Sequence, residues 1–185
     1  MGQTDNENTE DRQNIDIQVG EPFISQIDYA LSEQELEAYF DKQMELVKNG
    51  QEELATFELM MLGYAIDFIY FAKNAASVEI EFGEENLNKF DMILGAIHKL
   101  VAAGKLEQEN FNDLAKKAAA FFGVMILKNI GGNWAQSNAG MVINLCGTNA
   151  FVYNRVARRM YNGEEDEVVS FYQAIKAVKE NSGLS

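Results

Sequence analysis

Between Glu107 and Trp134 the chain reads EQENFNDLAKKAAAFFGVMILKNIGGNW, a long helical pattern stopped by two adjacent glycines. Phe111, Leu114, Ala118, Phe121, Phe122 and Met125 recur at helical spacing, while Asn112, Asp113, Lys116 and Lys117 hold the opposite face over the first half. From Ala118 to Leu127 the polar face is gone. This predicts a helix that enters at the surface and ends inside the domain, surrounded by other elements, with Ala118, Ala119, Ala120 and Gly123 letting a neighbour come close. Gly131-Gly132 then supplies the positive φ at which a helix can end without a Cβ clash.

The surrounding elements are legible in turn. Ser32 followed by Glu35 is a capping-box signature, and Leu36, Tyr39, Phe40, Met44 and Val47 share one face until Asn49-Gly50. A second helix, predicted over 51–74, carries so little polar surface that it should be central. Val78-Glu79-Ile80-Glu81-Phe82 alternates with period two, as a short strand or extended segment does, and Leu87, Phe90, Leu94, Ile97 and Val101 mark a further helix ending near Gly104. After Trp134, a turn at Ser137–Gly140 separates Trp134–Gln136 from a strand at Met141–Cys146. Thr148 or Asn149 is placed as the cap of a helix running through Tyr161. Asn162-Gly163 breaks it, and Asp166–Lys179 forms the last helix.

With 185 residues, one domain with tails is the expected organisation: an acidic tail at 1–20, a domain at 21–181 and a short tail at 182–185. Within the lead-in after Pro22, Phe23, Ile24 and Ile27 are expected to dock on the domain. Twelve Phe and seven Tyr within a 47% hydrophobic composition provide a sizeable core, each fully buried large side chain contributing about 1.5–3 kcal/mol. The formal charge of −14 argues against non-specific binding to nucleic acid or anionic membranes and makes a basic protein the natural charged partner. No apolar run spans a bilayer, the amino terminus lacks a secretory core, and Cys146 is the only cysteine, so a cytoplasmic location is expected.

The order of SVEIEFGEENLNKFDMIL, a helix ending in FFGVMILKNIGGNW, a short hairpin and NAFVYNRVARRMYNGEEDEVVSFYQ resembles a family of bacterial domains of unknown function, of the DUF3806 kind. In that group an extended segment and helix precede a helix closed by a Gly-Gly-x-Trp turn. A basic residue, Asn-Gly, an acidic run and Phe-Tyr follow. The resemblance covers about Ser77 to Ala174, and the chain departs from it in having Asn149-Ala150 where a proline is expected. It implies an α+β domain and transfers no catalytic residue.

Candidate chemistry is sparse. His98 is the only histidine and is placed on a helix surface beside Ile97, while Cys146 is placed in an apolar strand; together they provide too few ligands for a zinc site of the common His and Cys kinds. No catalytic residue, cofactor or metal is assigned. Asp67 stands out as a carboxylate amid Ala65, Ile66, Phe68 and Ile69, either a buried site residue or a rim position satisfied by a nearby Lys or Tyr. Arg155, Arg158 and Arg159 offer a grip for an anion, the competing reading being that Arg155 and Arg159 face the acidic run Glu164–Glu167. Trp134 is either a core lid or an interface anchor. Glu79 and Glu81 share a strand face.

These readings converge on a mainly helical α+β domain of five or six helices with a small antiparallel hairpin or sheet. The expected function is a non-enzymatic interaction module, in one version an acidic immunity or inhibitor protein for a basic partner. The alternatives are a ligand-binding domain or enzyme with a pocket near Trp134, Arg155 and Asp67, and a structural component of a larger assembly.

Overall fold

The computed structural model describes residues 17–138 and 140–183. Helices α1 (Glu33–Lys48), α2 (Phe57–Ala76), α3 (Leu87–Ala102) and α4 (Gln108–Asn129) are followed by strands β1 (Asn133–Ser137), β2 (Gly140–Leu145) and β3 (Thr148–Ala150). Helices α5 (Val152–Asn162) and α6 (Val168–Asn181) complete a mainly helical α+β domain. The strands form an antiparallel sheet in sequence order. No described helix is long and apolar enough to cross a membrane.

Helix α4 is the axis, as its sequence demands. Every residue from Ala118 to Leu127 is buried, whereas Asn112, Asp113 and Lys116 face solvent. Around it Phe68 of α2, Phe82, Phe90 of α3, and Phe121 and Phe122 of α4 form one aromatic cluster, with neighbouring ring centroids 5.1 to 5.5 Å apart. Each such pair adds about 0.5–1.5 kcal/mol beyond area burial. The close neighbour implied by Gly123 is Trp134: a Cβ on that glycine would lie 2.0 Å from the indole ring. Gly131 and Gly132 adopt φ of +102° and +103°, and the Gly131 N–H donates to Ile126 O at 3.0 Å, which closes the helix.

Helix α1 carries both halves of its capping box: the Glu35 N–H donates to Ser32 Oγ at 3.3 Å and the Ser32 N–H to Glu35 Oε2 at 2.9 Å. Several element boundaries differ from the sequence reading, among them the last helix, which runs Val168–Asn181 and not Asp166–Lys179, and two differ by more. Helix α2 begins at Phe57 rather than residue 51, because Thr56 Oγ1 accepts the Leu59 N–H at 3.2 Å and Glu52–Leu54 turn as a separate 3-10 segment. Thr148 and Asn149 are strand residues and not helix caps. Cys146 at φ +51° and Gly147 at φ +79° make a two-residue hairpin turn, placing Thr148 opposite Leu145, so α5 starts only at Val152. Cys146, expected inside an apolar strand, is therefore exposed at the turn, with Sγ 3.3 Å from Ser182 Oγ.

Residues 17–20, grouped by sequence with the acidic tail, run alongside β1: the Gly20 N–H donates to Gln136 O at 2.9 Å and the Phe23 N–H to Trp134 O at 2.8 Å. The rest of the predicted tails, residues 1–16 and 184–185, lie outside the described residues. In the lead-in, Phe23 stacks on Phe57 with centroids 5.2 Å apart and Ile27 is buried, but Ile24 is 92% exposed and does not dock.

Candidate functional site

Trp134, Asp67 and Arg155, expected to line one pocket, have separate partners. Trp134 is 1% exposed; its Nε1–H donates to the Tyr29 hydroxyl at 3.1 Å and its ring meets Phe57 edge-on at 6.2 Å. It is a core residue, with no face left for a partner. Asp67 is exposed on α2, 3.6 Å from Lys117 Nζ of α4, and so occupies a rim position. Arg155 lies over the Phe171 ring, 4.9 Å from its centroid, and donates to Asp166 Oδ1 at 3.2 Å. Arg158 pairs with the same oxygen at 2.9 Å, and buried Asp166 also accepts from Asn162 Nδ2 at 2.7 Å.

Arg159 lies near Glu164 and Glu167 of the acidic run, whose charges act on it, but its direct bonds go to α3. Its Nε and Nη2 each donate to one oxygen of Asp91 at 2.8 Å, a forked pair in which the arginine is 5% exposed. Asp91 Oδ1 also accepts the Val168 N–H at 3.1 Å, satisfying a free amide in the first turn of α6. Burial works to raise the Asp91 pKa, but the Arg159 hydrogen bonds, the Val168 N–H and the guanidinium charge outweigh it and hold the carboxyl below its ordinary value. Two glycines make the space. A Cβ on Gly95 would lie 3.0 Å from Arg159 Nη2, and one on Gly163, at φ +86°, would lie 2.8 Å from His98 Nε2. His98 is thus half-buried rather than on the helix surface, with Nδ1 3.3 Å from Met160 O. A cleft of about 670 Å³ passes over this clasp, lined also by Met92, Lys99, Glu164 and Glu167.

A second concavity, of about 380 Å³, lies between α1, the later turns of α2 and residues 79–82. Ile66, Ile69, Ile80 and Phe82 supply apolar lining, Glu33, Glu37, Glu79 and Glu81 supply carboxylates, and Lys73 is the lone cation in the lining. Its geometry follows from local rules. The capping box starts α1 so that Glu33 and Glu37, four residues apart, share a face toward the groove. Ser77, in left-handed conformation at φ +54°, ends α2, and the chain then alternates: Ile80 and Phe82 buried, Glu79 and Glu81 exposed. Glu33 Oε1 accepts the Phe82 N–H at 3.0 Å, and Glu37 accepts the Tyr70 hydroxyl, a bond that together with the Glu37 charge raises the Tyr70 pKa. None of the four carboxylates forms an ion pair among the described residues.

Residues 78–82 have no strand partner among the described residues, and their backbone is only partly satisfied. Val78 N–H donates to Ala72 O at 3.0 Å, and Phe82 O accepts from Asn129 Nδ2 at 2.7 Å. Ile80, only 3% exposed, has neither its N–H nor its C=O in a hydrogen bond among the described residues. A buried backbone group without a partner is uncommon.

Sequence reasoning singled out Asp67 and passed over Glu58, which is the buried acid of α2. Glu58 accepts from Ser25 Oγ at 2.5 Å, Gln26 N–H at 3.0 Å and Tyr29 OH at 3.1 Å, linking the lead-in to α2. Burial, then the Glu58 charge, pushes the Tyr29 hydroxyl's pKa up. The missed signal was Thr56, whose cap places Glu58 at the positive end of the helix. Among the described residues no group of three or more His, Cys, Asp or Glu could hold a metal ion. No family model, curated protein or solved structure matches the chain.

Proposed function

We propose that this protein is a non-enzymatic interaction module whose groove between α1, α2 and residues 79–82 docks a basic protein partner. The observation that carries this reading is the pairing of an apolar floor with four carboxylates that have no ion-pair partner. The chain's charge of −14 would steer a cationic protein toward it, and burial of apolar surface against Ile66 and Ile69 would hold it there. An inhibitor or immunity protein of the bacterial cytoplasm, masking a basic active surface, is one concrete form. The test is fluorescence anisotropy with a labelled peptide alternating lysine and valine, against one alternating glutamate and valine, at low and high salt. Saturable binding of the basic peptide alone, weakened by salt and by Glu79→Lys with Glu81→Lys, is expected. Equal binding of both peptides, or of neither, would refute the reading.

A second reading, a ligand-binding domain or enzyme, moves from the pocket expected at Trp134, Arg155 and Asp67 to the cleft over Arg159. Its lining carries both signs, Lys99 against Glu164 and Glu167, which suits a small zwitterion. A thermal-shift panel of amino acids checks it: a saturable rise in Tm abolished by Lys99→Ala is required.

A further inference from the structure

Resting on the basic-partner reading, we infer that the partner binds by strand addition: an extended basic segment pairs with residues 78–81 and completes a two-stranded ribbon along the groove. In an extended segment successive residues turn their backbone groups to opposite edges. Val78 and Ile80 therefore share an edge, and on either side of Ile80 backbone groups are already taken: the Val78 N–H by Ala72 O and, at the bend that ends the segment, the Phe82 N–H by Glu33 and the Phe82 C=O by Asn129. Ile80, between them, is the buried residue of the segment whose donor and acceptor are both unengaged among the described residues, and it lines the groove. In an antiparallel ladder one opposing residue exchanges both hydrogen bonds with its partner, so a single peptide residue opposite Ile80 satisfies both groups.

The side chains then specify the occupant. A residue directly opposite Ile80 points to the same face as Ile80, into the apolar lining beside Ile66 and Ile69. Its two neighbours point to the other face, where Glu79 and Glu81 are exposed and without ion pairs. The segment that fits is basic, apolar, basic, in extended conformation. Main-chain bonds supply the docking geometry and the alternating side chains the selectivity, as in strand-addition complexes generally.

The experiment uses the full chain and two labelled peptides of the same lysine–valine sequence, one of them N-methylated at the central valine. Methylation deletes the donor that would meet Ile80 C=O and leaves charge and apolar surface in place. Strand addition predicts binding that weakens at least about tenfold on methylation, equivalent to about 1.4 kcal/mol. It also predicts slowed exchange of the Ile80 amide in the complex with the unmodified peptide. Equal affinity for both peptides would overturn strand addition while leaving the basic-partner reading standing. Binding of neither would overturn both.

Discussion

The Arg159–Asp91 clasp and the groove at residues 79–82 are both rich in charge, and they treat it in opposite ways. In the clasp each charge meets its opposite: forked bonds at 2.8 Å, a backbone N–H on one of the same carboxylate oxygens, and a glycine, Gly95, that leaves room for the guanidinium. In the groove four carboxylates face a single lysine and form no ion pair among the described residues, beside a backbone residue whose two hydrogen-bonding groups have no partner there. Closed charge fixes one helix against another. Open charge is available to something outside the chain. Proximity of ionisable groups alone therefore does not mark a site; what matters is whether their bonding capacity is already used within the fold.

The largest effect should come from breaking the clasp on one side. Asp91→Ala leaves a buried guanidinium unpaired and should cost about 3–5 kcal/mol in urea unfolding. Asp91→Leu combined with Arg159→Met should recover most of that loss, since a buried pair replaced by apolar groups is often neutral. If the double variant is as unstable as the single one, the pair does more than hold α3 to α5.

Gly163→Ala ranks next. At φ +86° and ψ −144° only glycine is comfortable, and the added methyl would press on His98. A loss of about 1–3 kcal/mol is expected, read as a lower denaturant midpoint. Acid titration should then sharpen the contrast. The folded pKa of Asp91 lies below its ordinary value of 3.8, so its contribution is complete above that value and is lost as pH falls through the lower folded pKa. Wild type should lose stability across that acid window more steeply than the Asp91→Leu, Arg159→Met variant; parallel curves would contradict the clasp's role. The smallest effect on stability belongs to the groove: Glu79→Lys with Glu81→Lys should change unfolding by no more than about 0.5 kcal/mol while abolishing binding of the lysine–valine peptide.

What could be read from sequence was what is settled locally. The capping box of α1 and the glycine stop of α4 involve residues within a few positions of each other, and both stand where their residues place them. The turn before β3 was hidden because Cys146 occupies a left-handed position where asparagine or glycine is the usual signal. Arg159 seemed matched to Glu164–Glu167 because they are near in the chain, but its partner lies 68 residues away on α3. The carboxylates of Glu79 and Glu81 were visible as one face. That Glu33 and Glu37 join them required the packing of α1 against the segment after α2, which no spacing encodes.

Amide hydrogen exchange across residues 78–82 tests whether the groove edge is open in the free protein. Val78 and Phe82, whose N–H groups are bonded to Ala72 and Glu33, should exchange slowly, and Ile80 between them should exchange much faster despite its burial. An Ile80 amide as well protected as those two would mean that its hydrogen bond is already made, and the groove would then have no strand edge to offer.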